Sequence, residues 1–441
     1  MSNQSNPEIL SRLLDQWRTS EAPEVSAVVA ELSDELKSQE QRTRARKAND
    51  EARLQATLRA IVLDLYATSR ANQERYIRIG RRKEDYTKQT RYTNEQLSYQ
   101  PVRDVTDFLH RSGYTDYLKG YYLKKTQTGR RSAHRATQKL IAVFNKHSVS
   151  LDMIVASSGG ELVRLKDSDK NLAEYEDTIE TRTFRDNLLR INKVIADCDL
   201  RLNMSNDDIE ALHKRQLDKQ LRRLAPKFNS TSIDTLPDID FTRSTLRRVF
   251  NNGTFNQGGR FYGGWWQVIS KSIRKHILID GEETIELDYR ALHPRMLYHL
   301  EGIRLPRDDD AYHIQGFDGR HREIIKRTFQ RLLNAKQRQG MELEPKDMAK
   351  LPEGKTFNDL IDALLIRHQA IGERFFTGYG LQLQRMDSDI AESVMLNLID
   401  QDIPVLPVHD SFIVPSSSKT DLRKAMVNCY IHKLGYHPEV D

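Results

Sequence analysis

Charge is distributed so unevenly along this chain that no single, evenly mixed fold accounts for it. Residues 41–150 hold 24 Lys and Arg against 10 Asp and Glu, while the remaining 331 residues hold 45 against 53. A strongly cationic segment is therefore joined to a mildly acidic remainder. The cationic part suggests a polyanion partner, because counterions released from phosphates drive binding; a solvated basic helical surface is the alternative. At 441 residues the chain is long enough for two or three domains, each with its own core. No window approaches 18 consecutive apolar residues, so no membrane span is expected. The opening MSNQSNPEIL lacks the basic-then-apolar layout of a secretory signal. Two cysteines, Cys198 and Cys429, cannot build a disulfide framework or a Cys-rich zinc site, so a reducing, cytoplasmic setting is the default expectation.

Periodicity divides the chain further. Leu10, Leu13 and Leu14, then Val25, Val28, Val29 and Leu32, sit at helical spacing, which predicts two short helices in an acidic segment, 1–44. Leu54, Leu58, Ile61, Val62 and Leu65 predict an amphipathic helix over 51–68. A second helix is expected from Pro101 to about Arg111, stopped by Ser112-Gly113. Residues 114–123 read as a strand, 124–131 as a basic turn, and 132–144 as a returning strand or helix. This order resembles a winged helix-turn-helix domain over 45–150. The resemblance implies a recognition helix carrying Arg103 and a wing carrying Lys124, Lys125, Arg130 and Arg131, with DNA or RNA as partner. Residues 151–240 read as a mostly helical connector, closed by a Ser-, Thr- and Asp-rich loop from Pro226 to Pro237.

Chemistry is concentrated in 241–441. Ile285–Leu287 reads as a strand after a turn at Asp280-Gly281, with Asp288 at its end and a helix from Ala291 to His299. Pro404–Val408 and Ser411–Val414 read as a hairpin with His409-Asp410 at its tip. Two aspartates presented at such junctions, if brought together, suit a pair of Mg²⁺ ions in phosphoryl transfer; either one alone reads as a turn-forming or capping residue. Arg322 and Lys326, four residues apart on one helix, share a face that suits a triphosphate. Arg260 lies in the Gly-rich run 258–264, where missing side chains allow a backbone or nucleotide to approach.

In this order the four blocks resemble the polymerase core shared by family A DNA polymerases and single-subunit, phage-type RNA polymerases. Asp288-Tyr289 with Leu292 and Arg295 is similar to the first palm motif, and Arg322-x-x-x-Lys326 to the fingers helix. His409-Asp410-Ser411 resembles the palm hairpin in the form typical of the RNA enzymes, and Gly259-Arg260-Phe261-Tyr262 resembles their GR-x-Y element. Gln384, ahead of Asp389-Ile390-Ala391, is similar to the glutamine-bearing palm helix of the DNA enzymes. The resemblance covers roughly 245–440. It implies an α+β fold with a right-hand palm and fingers in the C-terminal half, behind a mainly helical N-terminal half.

The same resemblance implies residue roles. Asp288 and Asp410 would bind two Mg²⁺ ions, with Mn²⁺ as the alternative, and the Tyr289 carbonyl would complete a site. Lys326 would neutralise the α-phosphate of a nucleoside triphosphate and Arg322 would hold its outer phosphates. His409 and Gln384 would position primer or template, Arg260 would contact template or nascent strand, and Arg295 would brace the palm or primer. Two positions depart from the family pattern. His293 stands where the DNA enzymes carry a glutamate that excludes a 2′-hydroxyl, and Asn334-Ala335 stands where the fingers helix ends in Tyr-Gly, close to the nucleotide and templating base. The sugar is left open, since a histidine could exclude a ribose by bulk or hydrogen-bond to it. DNA synthesis on a DNA template is slightly preferred, in replication or priming of a mobile element. An RNA polymerase or primase with an RNA primer or product, and an inactive DNA-binding regulator, are the alternatives.

Overall fold

The computed structural model describes residues 10–441 apart from 41, 43, 88, 124–127, 157–159 and 225–237. Lys124, Lys125 and the whole of the loop expected at 226–237 lie outside the described residues. The fold is mixed α+β, and the chain forms two compact units, each assembled from three segments. The first contains Met1–Leu162, Leu202–Leu246 and Gly263–Arg274; the second contains Val163–Arg201, Arg247–Tyr262 and Lys275–Asp441. The stretch 151–240, expected as a connector, thus contributes to both.

In the first unit, β1 (Ser11–Leu13), β2 (Arg18–Thr19), α1 (Pro23–Ser38), α2 (Ala48–Ala71), β3 (Tyr76–Arg78) and α3 (Tyr99–Arg111) precede a long bent hairpin. The hairpin consists of β4 (Thr115–Leu118), β5 (Tyr121–Leu123), β6 (Thr128–Arg130) and β7 (Ala133–Ala136). Next come α4 (Gln138–Lys146) and β8 (Val155–Ala156), with α6 (Asn206–Leu224) and α7 (Lys271–Arg274) from the later segments. Helix α2 buries the expected stripe of Leu54, Leu58, Ile61, Val62 and Leu65, and Tyr66 stacks on Phe144 of α4 at 4.1 Å. Val25, Val28, Val29 and Leu32 of α1 join the same core, so the acidic segment packs with the basic one.

The helix expected around Leu10–Leu14 is instead a strand. Ser11–Leu13 pairs in parallel with Tyr76–Arg78, burying Leu10 and leaving Leu13 53% exposed. Sheet pairing outweighs a helical spacing of three leucines, which is too short to nucleate a helix alone. The sheet order is β1-β3-β7-β4. Beneath it lies a buried ion cluster: the Asp64 carboxylate, fully enclosed in α2, accepts from Arg12 and from Arg18 Nε, and Arg18 also pairs with Asp240. Against the opposing effect of burial, Arg18 and Arg243 keep Asp240 ionised far below the usual carboxylate range.

In the second unit, β9 (Val163–Leu165), β11 (Arg247–Asn251) and β12 (Thr254–Tyr262) form one sheet, backed by α5 (Ile179–Asp197). A second sheet has the order β10 (Leu200–Leu202), β13 (Ile277–Ile279), β14 (Glu282–Asp288), β16 (Ser411–Pro415), β15 (Leu406–Val408). Around them are α8 (Leu292–Leu300), α9 (Arg322–Asn334), the short α10 (Pro345–Met348), α11 (Phe357–Arg367), α12 (Gly380–Ile399) and α13 (Lys419–Leu434). Asp280-Gly281 makes the β13–β14 turn with both residues left-handed, at φ +52° and +80°.

Candidate active site

Strand register brings two sequence-distant aspartates to neighbouring backbone positions. β14 and β16 run antiparallel with Asp288 opposite Ser411, so Asp410 at the hairpin tip lies diagonally beside Asp288. The Tyr289 N–H donates to the Asp410 carbonyl at 3.3 Å, fixing that neighbourhood through the backbone. The tip is tight: His409 takes φ +61°, and its ring meets Tyr262, at the end of β12, edge-to-face at 5.3 Å. Ser411 Oγ donates to Glu286, two residues before Asp288 on β14 and hence on the same strand face. Among the described residues no cluster of three or more His, Cys, Asp or Glu forms. The oxygen donors here are the Asp288 and Asp410 side chains and the Tyr289 carbonyl. An all-oxygen set of one or two carboxylates fits Mg²⁺, which keeps several of its own waters.

Behind the hairpin lies a polar network drawn from four elements. Arg260 of β12 donates through Nε to both oxygens of Asp387 at 3.2 Å. His293 of α8 approaches Asp387 Oδ2 through Nε2 at 2.7 Å, and Gln330 of α9 through Nδ1 at 3.2 Å. Asp387 is 3% exposed, and its charge partners His293 and Arg260 hold its carboxyl below the usual range against the opposing effect of burial. Asp387 raises the Arg260 guanidinium in return. This aspartate is the residue that sequence reasoning missed. Gln384, chosen for its amide, sits half-buried one turn earlier on α12. The available signal was an acid on the apolar stripe of Leu383, Ile390, Ala391 and Val394, since a carboxylate on a buried face needs a cationic partner.

The close approach expected at the Gly-rich run brings β12 against α12. Gly258 and Gly259 are left-handed, at φ +81° and +84°, where the β11–β12 register shifts. A Cβ on Gly259 would stand 2.8 Å from Ser388 Oγ. Arg248 of β11 completes the joint: buried among Phe184, Phe250 and Phe261, it donates to the Gly259 carbonyl and pairs with Glu392 and Asp389 of α12.

Helix α9 buries Ile324, Ile325, Phe329, Leu332 and Leu333 and turns Arg322, Lys326, Gln330 and Asn334 along one stripe. Arg322 is 40% exposed, pairs with Asp310 at 2.7 Å and lies over the Tyr312 ring at 5.1 Å. Lys326 is exposed and makes no ion pair with a described residue. Asn334 caps its own helix by donating to the Gln330 carbonyl, and its side chain abuts Gly380 at the start of α12. Arg295 is buried, with its guanidinium against the carbonyls of Leu305, Pro306, Arg307 and Asp309, so it braces a loop.

In the first unit, Arg103 on α3 is ion-paired with Asp107 at 3.8 Å, and Arg131 with Asp85 at 3.2 Å. Arg130 lies over the Tyr121 ring at 5.5 Å. No helix among the described residues is long and apolar enough to cross a membrane. No protein-family model matches this chain, and no curated protein matches it in sequence.

Proposed function

We propose that the chain is a template-directed nucleic-acid polymerase, a nucleotidyltransferase whose second unit carries palm and fingers elements. The observation that carries this reading is the β14–β16 register, which sets Asp288 beside Asp410. These residues with the Tyr289 carbonyl would hold two divalent cations. Bound there, the cations would supply charge that stabilises the attacking and leaving oxygens of an in-line displacement at phosphorus. The stripe on α9 supports the same reading from the nucleotide side. Lys326, unengaged by any described carboxylate, is suited to the α-phosphate, and the Arg322 fork, held by Asp310 and Tyr312, to the outer phosphates. Arg260 and His293, locked on Asp387, would shape the floor under the sugar and the growing strand.

His293 favours DNA synthesis over RNA synthesis. Both its ring nitrogens already face protein partners, Asp387 and Gln330, so the ring meets a sugar as bulk rather than as a hydrogen-bond donor. In the first unit, the order α2, β3, α3, β4 to β7 with β3-β7-β4 pairing supports the winged-helix reading, although among the described residues the short turn Lys83–Asp85 is the only helix between β3 and α3.

The test is primer extension by the purified full chain on a DNA template, with Mg²⁺ or Mn²⁺, dNTPs or NTPs, with and without primer. Extension should require metal and primer, prefer dNTPs, and vanish in Asp410→Asn. Primer-free synthesis would make the chain a primase. Absence of incorporation in every condition, with nucleic-acid binding intact, would leave the regulator reading.

A further inference from the structure

We propose that Arg290 is a ligand of the incoming nucleotide, gripping its β- and γ-phosphates from the end of β14 as Arg322 does from the start of α9. The inference rests on the reading of the second unit as a nucleotidyltransferase. It goes further by giving a phosphate-binding role to an arginine that none of the motifs carrying the family resemblance includes.

The pleat of the backbone decides which way Arg290 points. Leu287 and Tyr289 are buried, and the Tyr289 hydroxyl donates to the Met426 carbonyl of α13 at 2.6 Å, so both side chains lie on the covered face of β14. Side chains alternate along a strand, which puts Glu286, Asp288 and Arg290 on the other face. The extended backbone runs on past the end of β14. Tyr289 bridges Val440, and the Arg290 N–H donates to the Glu439 carbonyl at 2.9 Å. Ala291 then turns left-handed, at φ +48°, and opens α8. Arg290 is therefore two residues from Asp288, on the face that carries the proposed cation ligand.

The guanidinium is available. Arg290 is half-buried, and its side chain makes no hydrogen bond or ion pair with a described residue. Neighbouring arginines are engaged: Arg295 braces its loop through four carbonyls, and Arg307 pairs with Glu439 at 3.0 Å. The charge that Arg290 does act on is Asp310. Against the opposing effect of burial, hydrogen bonds from Arg322 and from the Tyr312 N–H, and then the charges of Arg322 and Arg290, hold that carboxyl below its usual range. One carboxylate thus lies within the field of two guanidiniums from different elements. An anion is accommodated at this point, and the groups around it are a carboxylate suited to Mg²⁺ and a helix face suited to a triphosphate. A planar fork of N–H donors matches phosphate oxygens better than a point charge does. Arg290 and Arg322 together would take the outer phosphates and leave Lys326 for the α-phosphate.

The experiment is steady-state primer extension by the full chain as wild type, Arg290→Ala and Arg290→Lys, with dNTP concentration varied and pyrophosphate added as a competitor. Arg290→Ala should raise KM for dNTP by about tenfold or more and weaken inhibition by pyrophosphate by a similar factor, with a smaller effect on kcat. Arg290→Lys, which keeps the charge and loses the fork, should fall between the two. Primer–template affinity, the Mg²⁺ concentration that gives half the maximal rate, and the thermal midpoint should stay as in wild type. An arginine that only balances Asp288 and Asp310 would move the last two and leave KM and pyrophosphate inhibition alone. That result, or no change in any of them, overturns the proposal; in a wild type that extends primers, it leaves the polymerase reading intact. Calorimetric binding of pyrophosphate with Mg²⁺ to the same proteins needs no turnover. Binding that is lost in Arg290→Ala, from a wild type that extends no primer, would remove the polymerase reading and leave the phosphate site standing. Neither extension nor Arg290-dependent binding would remove both.

Discussion

Asp387→Asn tests the centre of the second unit. The carboxylate is 3% exposed and receives Arg260 and His293 from two other elements. Asparagine preserves its volume and one acceptor oxygen but leaves the Arg260 guanidinium without a counter-charge in a mostly buried setting. Breaking a buried pair by removing one partner costs about 3–5 kcal/mol, and the retained acceptor argues for the lower end, about 3 kcal/mol. For a unit of this size that is roughly 6–12 °C in thermal midpoint. The pH dependence fixes the cause. The Asp387 carboxyl is depressed in the folded state, so its contribution is complete above the unfolded carboxylate pKa, about 4, and is lost as pH falls through the lower folded value. Urea denaturation of wild type, Asp387→Asn, Arg260→Gln and the double variant should therefore show a gap that is constant from neutral pH to about pH 5 and closes only below about pH 4. The double variant should cost less than the sum of the singles. A gap under about 1 kcal/mol, additive costs, or a gap that already closes between pH 7 and 5 would refute the assignment.

Three other perturbations follow from the same geometry. Lys326→Ala should leave the denaturation midpoint within about 0.5 kcal/mol yet lower kcat for nucleotide incorporation by about 10²–10³-fold, and unchanged turnover would detach α9 from the chemistry. Arg18→Leu leaves Asp64 with Arg12 alone and Asp240 with Arg243 alone, and should cost about 3 kcal/mol in chemical denaturation, whereas a neutral effect would mean that the remaining arginines or water satisfy those carboxylates. Gly259→Ala puts a side chain at φ +84° against Ser388 and should lower the thermal midpoint by an amount equivalent to about 1–2 kcal/mol or more, with partial relief in a Gly259→Ala/Ser388→Ala background.

What the sequence reveals here follows how local each signal is. Asp288, Asp410 and the Arg322–Lys326 pair are legible because each lies at a junction or helical spacing that a few neighbouring residues determine. Their proximity is not local: it depends on a register between residues more than a hundred positions apart. Tyr99–Arg111 and the bent hairpin after it are found where turn residues punctuate the chain, but β1 is misread because its partner, β3, lies some 65 residues downstream. Gln384 draws attention as a residue type, whereas Asp387 is identified by the cations it faces, which come from β12 and α8. The Gly258-Gly259 pair announces a close approach without saying to what, and the answer, Ser388, is again on a distant element.

The threading of the chain through its two units has a consequence for how the protein is made. Each unit is completed by a segment that follows a visit to the other: the first needs Gly263–Arg274, and the second begins at Val163 but ends at Asp441. A ribosome that has emitted the whole basic region still holds pieces of its unit, and by the time those emerge β9, α5, β11 and β12 are already outside, waiting for β14, α12 and β16. The first unit can therefore close only after Gly263–Arg274 has left the ribosome, with part of the second unit already outside. Arg248 and Phe184 must remain exposed until α12, more than a hundred residues later, arrives to cover them. The interval between synthesis of β11 and of α12 is when the nascent protein has most need of a chaperone.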